Sequence, residues 1–250
     1  MRDRPQRHAR RAARDLPEWI EACSPREPTA LHEARLNDVC TRIRAGGARR
    51  VADLGCGEGQ LVRRLLGDTR IERVVGVDVS MAALGRLERA AAAELALGRL
   101  ALVHGSFTEA HRELAGVDTV AMVETIEHIE PALLSRVEHA VFRIRPRTVI
   151  VTTPNQEFNV LFGMAPGQMR EPGHCFEWPR ARFRAWAAGV AQRQGYALTL
   201  AGIGPADPLR GAPSQMAEFS RRASAGEVLP EAAQWRHRMD LTPREKDLAP

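Results

Sequence analysis

The sequence predicts an α/β domain of Rossmann-like type, with a mainly parallel seven-stranded sheet closed at one edge by an antiparallel hairpin. Three observations carry this reading. Short apolar runs alternate with helix-patterned segments from residue 50 to 152, as in βα units stacked on both faces of a parallel sheet. A turn with glycines at 55, 57 and 59 joins the first run to its helix. The last two runs, near residues 196 and 215, are joined by a Gly/Pro connection with no helical pattern.

Taken in order, residues 1–28 mix Arg, Pro and polar residues without periodicity and read as a basic arm or short helix. From Leu31 to Arg44 the apolar positions Leu31, Ala34, Leu36, Val39, Cys40 and Ile43 recur at helical spacing, which predicts a helix packed on the sheet. A strand over Arg50–Leu54, the glycine turn and a helix over Gln60–Leu66 form the opening β-loop-α of a nucleotide-binding unit. A second strand runs from Arg73 to Val77 and ends at Asp78. The Ala/Leu-rich stretch from Met81 to Leu97 is expected to be one helix. Strands follow at Leu100–His104, Thr119–Val123 and Thr148–Thr152, with a helix near Pro131–Ile144. Residues 154–179 are irregular and rich in Gly, Pro, Asn and aromatics, the mark of a functional loop. A helix over Arg180–Gln194, a strand over Tyr196–Ala201 and a strand around Gln215–Phe219 close the domain. This gives one domain over 29–222 and a tail over 223–250.

Composition bounds the function. The chain of 250 residues is 44% hydrophobic and 27% charged and holds no apolar run long enough to span a bilayer. The formal charge of +5 and pI near 9.6 favour a polyanionic partner, although arginine supplies nearly all of the basic residues and coding bias explains that equally well. Cys23, Cys40, Cys56 and Cys175 form no CxxC pair, which fits a reducing cytoplasm.

The chemistry concentrates in two places. In Val51-Ala52-Asp53-Leu54-Gly55-Cys56-Gly57-Glu58-Gly59, the glycines let backbone turn sharply against a ligand. With its leading acid, DLGCGEG resembles the first motif of class I S-adenosylmethionine methyltransferases, in which Asp53, Gly55 and Gly57 would hold the methionine end. Asp78, at the end of the second strand, is placed to accept from both ribose hydroxyls. Ser106 and Phe107, past the third strand, fall where related enzymes contact adenine.

The second place is Glu124-Thr125-Ile126-Glu127-His128, at the carboxyl end of the fourth strand. If the segment turns helically, Glu124, Glu127 and His128 share a face and can converge on one cation. Mixed oxygen and nitrogen donors suit Mg²⁺ or Mn²⁺ better than a structural zinc. The downstream string Arg170-Glu171-Pro172-Gly173-His174-Cys175-Phe176-Glu177-Trp178 adds a histidine in the long loop.

These pieces, with LHEARL, RPRTVIVTTPNQEFN and PSQMAEF, resemble the HEN-type (Hua-enhancer-type) small-RNA 2′-O-methyltransferases over roughly residues 31–222. The resemblance implies that Glu124, Glu127, His128 and His174 hold a divalent metal, Mg²⁺ or Mn²⁺, that engages both hydroxyls of the last ribose of an RNA. It also implies S-adenosylmethionine as methyl donor, a free 2′,3′-diol RNA 3′ end as partner, and, as in some bacterial relatives, a separate RNA end-healing and ligating chain. His128 or His174 is a candidate base for the hydroxyl proton. Two positions depart from the family pattern: Gly173 stands where an Asp precedes the loop histidine, and Glu171 where His or Asn is usual. That departure is expected to loosen support for His174. Arg170, Arg180 and Arg182 are candidates for RNA phosphates, and Phe176 and Trp178 either stack on a terminal base or anchor the loop. Two alternatives stay open: a methyltransferase acting on a small molecule or protein, and an inactive cofactor-binding module.

Overall fold

The computed structural model describes residues 29–222; the arm at 1–28 and the tail at 223–250 lie outside the described residues. Seven strands form one sheet: β1 (Arg50–Leu54), β2 (Arg73–Asp78), β3 (Leu100–His104), β4 (Thr119–Val123), β5 (Thr148–Pro154), β6 (Tyr196–Ile203) and β7 (Ser214–Arg221), in the order β3-β2-β1-β4-β5-β7-β6. The first five strands are parallel. β7 runs antiparallel to both β5 and β6 and lies between them. The order reverses at β1, so the carboxyl ends of β1 and β4 flank the crevice in which open α/β sheets bind ligands.

Both faces of the sheet are covered, because successive residues of the central strands point to opposite cores. On one face α1 (Thr29–Ala45), α2 (Gln60–Leu66) and α3 (Met81–Ala90) bury Leu36, Val39, Ile43, Leu61, Leu65 and Leu87 against Val51, Ala121 and Ile150. On the other, α5 (Leu134–Arg143) and α6 (Arg180–Gln194) bury Val137, Val141, Phe183 and Val190 against Ala52, Val120, Met122 and Val151. At roughly 25 cal/mol per Å² of apolar surface, each such side chain contributes about 1.5–3 kcal/mol of burial. None of the helices over residues 29–222 is long and apolar enough to cross a membrane.

The structure differs from the sequence expectation in three elements. The helix expected from Met81 to Leu97 is broken at Ala91, whose φ of −127° ends α3 before α4 (Ala92–Ala96) begins. High helix propensity does not prevent a break that packing imposes. The helix near Pro131–Ile144 starts instead as a 3₁₀ turn over Pro131–Leu133. The long loop contains its own 3₁₀ segment, Gln156–Phe162, capped by the Asn155 side chain on the Glu157 N–H, and Asn155 pairs with Trp178 in an isolated bridge.

Candidate active site

The glycine loop is built from backbone. Gly55 and Gly57 have φ of +79° and +51°, a left-handed conformation costly for residues with a Cβ. The N–H groups of Gly55 and Cys56 donate to Val77 O at 2.8 and 3.1 Å, stitching the loop to β2. Asp78 accepts from Gly57 N at 2.7 Å and from Ser80 N at 2.8 Å. A Cβ at Gly57 would meet nothing within 4 Å, so this turn opens onto free space where a ligand can approach. Asp53 beneath it is buried, and burial together with the Asp78 carboxylate pushes its pKa up to about 7. Such a carboxyl gains from a nearby cation, which the ammonium and sulfonium of S-adenosylmethionine both supply. Ser106 pairs with the Thr108 hydroxyl at 2.8 Å, while Phe107 is turned into the core.

At the carboxyl end of β4 the chain does not become an α-helix. Glu124 takes φ +51°, and only Ile126–His128 forms a 3₁₀ turn. The expected shared helical face is therefore absent, and the four acceptor-site residues do not converge as one group. Glu127, His128 and His174 do: each offers a ligand atom within 4.8 Å of the others. Glu124 stands beside them, its carboxylate receiving the Thr152 hydroxyl at 2.9 Å and lying 3.5 Å from the Arg35 guanidinium.

The donor set suits a cation. Glu127 is fully buried; its Oε2 accepts from Thr153 at 2.9 Å, and its Oε1 has no hydrogen-bond partner. Burial first, and the Glu124 charge second, raise its pKa well above the usual carboxylate range. An unpaired buried carboxylate oxygen costs stability unless something positive meets it. Both histidines engage a hydrogen-bond partner through Nδ1. His128 Nδ1 lies 3.1 Å from Gly173 O, and His174 Nδ1 lies 2.6 Å from Glu177 Oε1. A carbonyl and a carboxylate only accept, so each Nδ1 carries the proton and each Nε2 keeps a lone pair for a metal.

The support for His174 corrects the expectation drawn from Gly173 and Glu171. Glu177 provides it, held in turn by Asn159 Nδ2 at 2.5 Å and Arg170 N at 2.6 Å. Burial opposes the Glu177 charge, but His174, Asn159 and Arg170 together hold its pKa below the ordinary range. Gly173 serves the other histidine: a Cβ there would come 3.4 Å from His128 Nδ1, and glycine lets its carbonyl approach. Glu171 is exposed.

The candidate RNA-contact residues divide. Arg170 braces the loop, donating to Asn159 Oδ1, Asn155 O and Pro213 O while its Nη1 stays buried without a partner, and burial lowers its pKa to about 10. Phe176 and Trp178 stack on each other at 4.2 Å in the core, which makes them anchors with no face turned to a base. Arg180 holds Glu157 and Leu209 O. Arg182 remains exposed, over the Trp178 ring at 5.1 Å.

Sequence reasoning missed Arg35, Thr125 and Glu177. Arg35 lies within LHEARL, where helical spacing gave it no role. Glu177 follows His174 by three residues, a spacing that could have flagged the pair. Thr125 gave no signal: its hydroxyl donates to Leu54 O at 3.3 Å, and its Cγ2 would lie 2.4 Å from a Cβ at Gly55. It is the contact through which the glycine loop and the acceptor cluster meet.

Comparison with known proteins agrees with this fold. Residues 51–145 match a methyltransferase-domain family. A small RNA 2′-O-methyltransferase of Xenopus tropicalis is 34% identical over 209 residues, 79% of this chain and 56% of that protein. The methyltransferase domain of bacterial CtHen1 superposes with a TM-score of 0.69 at 36% identity, covering 77% of this chain and 100% of that one. The small RNA methyltransferase HEN1 superposes with a TM-score of 0.72 at 31% identity, over 79% of this chain and 26% of that one. The chain spans about half the length of the curated relatives it matches.

Proposed function

This chain belongs to the HEN1-type small-RNA 2′-O-methyltransferase family, and from that premise we propose that it transfers a methyl group from S-adenosylmethionine to the 2′-hydroxyl of the 3′-terminal nucleotide of an RNA, with a divalent metal. The observation that carries the proposal is the buried Glu127, one carboxylate oxygen unpartnered, with a ligand atom within 4.8 Å of those of two histidines, in a segment whose Thr125 packs against the glycine loop.

In this reading Asp53, Gly55, Gly57 and Asp78 hold the donor, whose sulfonium supplies an electrophilic methyl. Glu127, His128 and His174 hold the metal, with Glu124 beside them; when bound, it lowers the cost of ionising a ribose hydroxyl and orients it. Thr125 fixes the distance between the two halves, so that proximity supplies a large part of the barrier reduction. Thr153 and Glu177 keep Glu127 and His174 in place, and Arg35 and Thr152 hold the Glu124 carboxylate. A histidine bound through Nε2 is not free to accept the hydroxyl proton, so the proton leaves to solvent or to Glu124.

The test is methyl transfer from labelled S-adenosylmethionine to a short single-stranded RNA, comparing a 2′,3′-diol end with a 2′-deoxy end, with Mn²⁺, Mg²⁺ or a chelator. Transfer that needs both the diol and the metal is expected. Transfer unaffected by chelation, or cofactor binding with no transfer to any RNA end, would overturn it. The second partner we propose, a separate RNA end-healing and ligating chain, follows from the resemblance to bacterial relatives and is tested by whether such a chain co-purifies with this protein.

A further inference from the structure

Outside the site described above, a groove of about 390 Å³ opens between the start of α6 and the end of β6, a size typical of small-ligand pockets. Phe183 and Leu200 give it an apolar wall, Arg180 and Arg184 line it, and no carboxylate does. Arg180 is already held by Glu157. Arg184 is exposed and takes no ion-pair partner among the described residues. Gln215, also in the wall, turns its amide NH₂ to Pro154 O at 3.0 Å and Trp178 O at 2.8 Å. That orientation fixes its Oε1 the other way, buried and without a partner.

Apolar walls, one orphaned acceptor and an unneutralised guanidinium fit a flat group that donates N–H and carries an anion. A purely apolar ligand would leave the arginine and the amide unused, and an acidic peptide would leave the apolar walls uncovered. A nucleotide satisfies all three. The groove also adjoins the acceptor cluster. Ser214 in its wall accepts from Arg35 Nε at 2.9 Å, and that same nitrogen lies 3.5 Å from Glu124. Asn155, another wall residue, pairs with Trp178, four residues beyond His174.

We propose that this groove binds a nucleotide of the same RNA strand upstream of the terminal one, its base against Leu200 and its phosphate on Arg184. The inference rests on the RNA-end reading above and adds a subsite to it.

The experiment uses the whole chain in two arms. In the first, single-stranded RNA carrying 4-thiouridine at one of its last five positions is photo-crosslinked; one upstream position should crosslink to peptides spanning residues 180–184 or 200–216. In the second, steady-state transfer is measured for Arg184→Glu, Leu200→Trp and a control, Arg89→Glu, an exposed arginine across the sheet. KM for a 12-residue RNA should rise about tenfold in the first two, with kcat and cofactor binding unchanged and the control near wild type. One abasic substitution that weakens wild type should cost the Leu200→Trp variant nothing. Unchanged KM in both groove variants, an equal rise in the control, or crosslinks only elsewhere would overturn the groove while leaving the terminal reaction intact. If the wild-type protein methylates no RNA end, the reaction reading fails, and the crosslinks alone decide the groove.

Discussion

The two halves of the site are made of different materials. The donor half is backbone: three glycines, N–H groups stitched to β2, and one acid at each of two strand ends. The acceptor half is side chain: Glu127, His128 and His174 come from segments about fifty residues apart, and each is held by a further side chain or carbonyl. A backbone cradle is cheap to fold, because its polar groups are bonded whether or not a ligand is present. A buried carboxylate with an orphan oxygen is not. The difference teaches where this protein gives up stability for chemistry, and the substitutions below test that division in order of size.

Glu127→Gln should break it most. Losing the anionic donor is expected to cut transfer on the order of 10³-fold, equivalent to about 4 kcal/mol of barrier. In the presence of chelator the same variant should melt at or above the wild-type temperature, since a buried charge is gone and Thr153 keeps a partner; a gain of ~1 kcal/mol would read as roughly 2–4 °C for a domain of this size. A variant that loses both activity and stability would show that Glu127 is structural.

Glu177→Gln acts one step back. It should weaken metal affinity about 10–100-fold, so that activity recovers at high Mn²⁺, a rescue that disruption of the core would not give. On the donor side, Gly57→Ala places a side chain at φ +51° in the open mouth of the loop; cofactor Kd should rise about tenfold while metal binding is untouched, because the strain is about 1–2 kcal/mol and local. Coupled loss of both would show that the halves are not separable.

The smallest effect is a pH dependence. Asp53 has its pKa raised to about 7 from an ordinary 3.8, so below pH 7 the folded protein holds this proton and the donor half keeps only the Asp78 charge. Cofactor affinity should therefore rise as pH increases from 6 towards 8, levelling above the shifted pKa, with proton release on binding measured by calorimetry in two buffers. For the protein without cofactor the sign is opposite: a raised carboxyl pKa means the unfolded chain ionises first, and stability contributed by this group is lost as pH climbs from about 4 to 7. Asp53→Asn should abolish both trends.

The same division explains what could be read in advance. The sheet, the glycine loop and β1 to β4 followed from local patterns, because each strand and turn is specified by its own few residues. The acceptor residues were legible only as types in a string; how they meet was not. Periodicity suggested a helical face for Glu124, Glu127 and His128, whereas Glu124 adopts a left-handed conformation at the strand end, which no residue preference announces for a glutamate. The roles of Arg35, Thr125 and Glu177 depend on contacts across the sheet or along an irregular loop, where spacing carries little information. Phe176 and Trp178 had two readings, and burial selected the anchor.

One feature of the topology sets a timetable. β7, the last strand in the chain order, is inserted between β5 and β6, and its first residues, Ser214 and Gln215, brace Arg35 and the Asn155–Trp178 turn. The glycine loop takes its contacts from β2 and Thr125, but the acceptor half is braced only when residues 214–221 take their place between β5 and β6. A chain translated from its amino end therefore completes the strands that carry the glycine loop before the strand that braces the acceptor residues, and the last seam of the sheet closes only with residues 214–221.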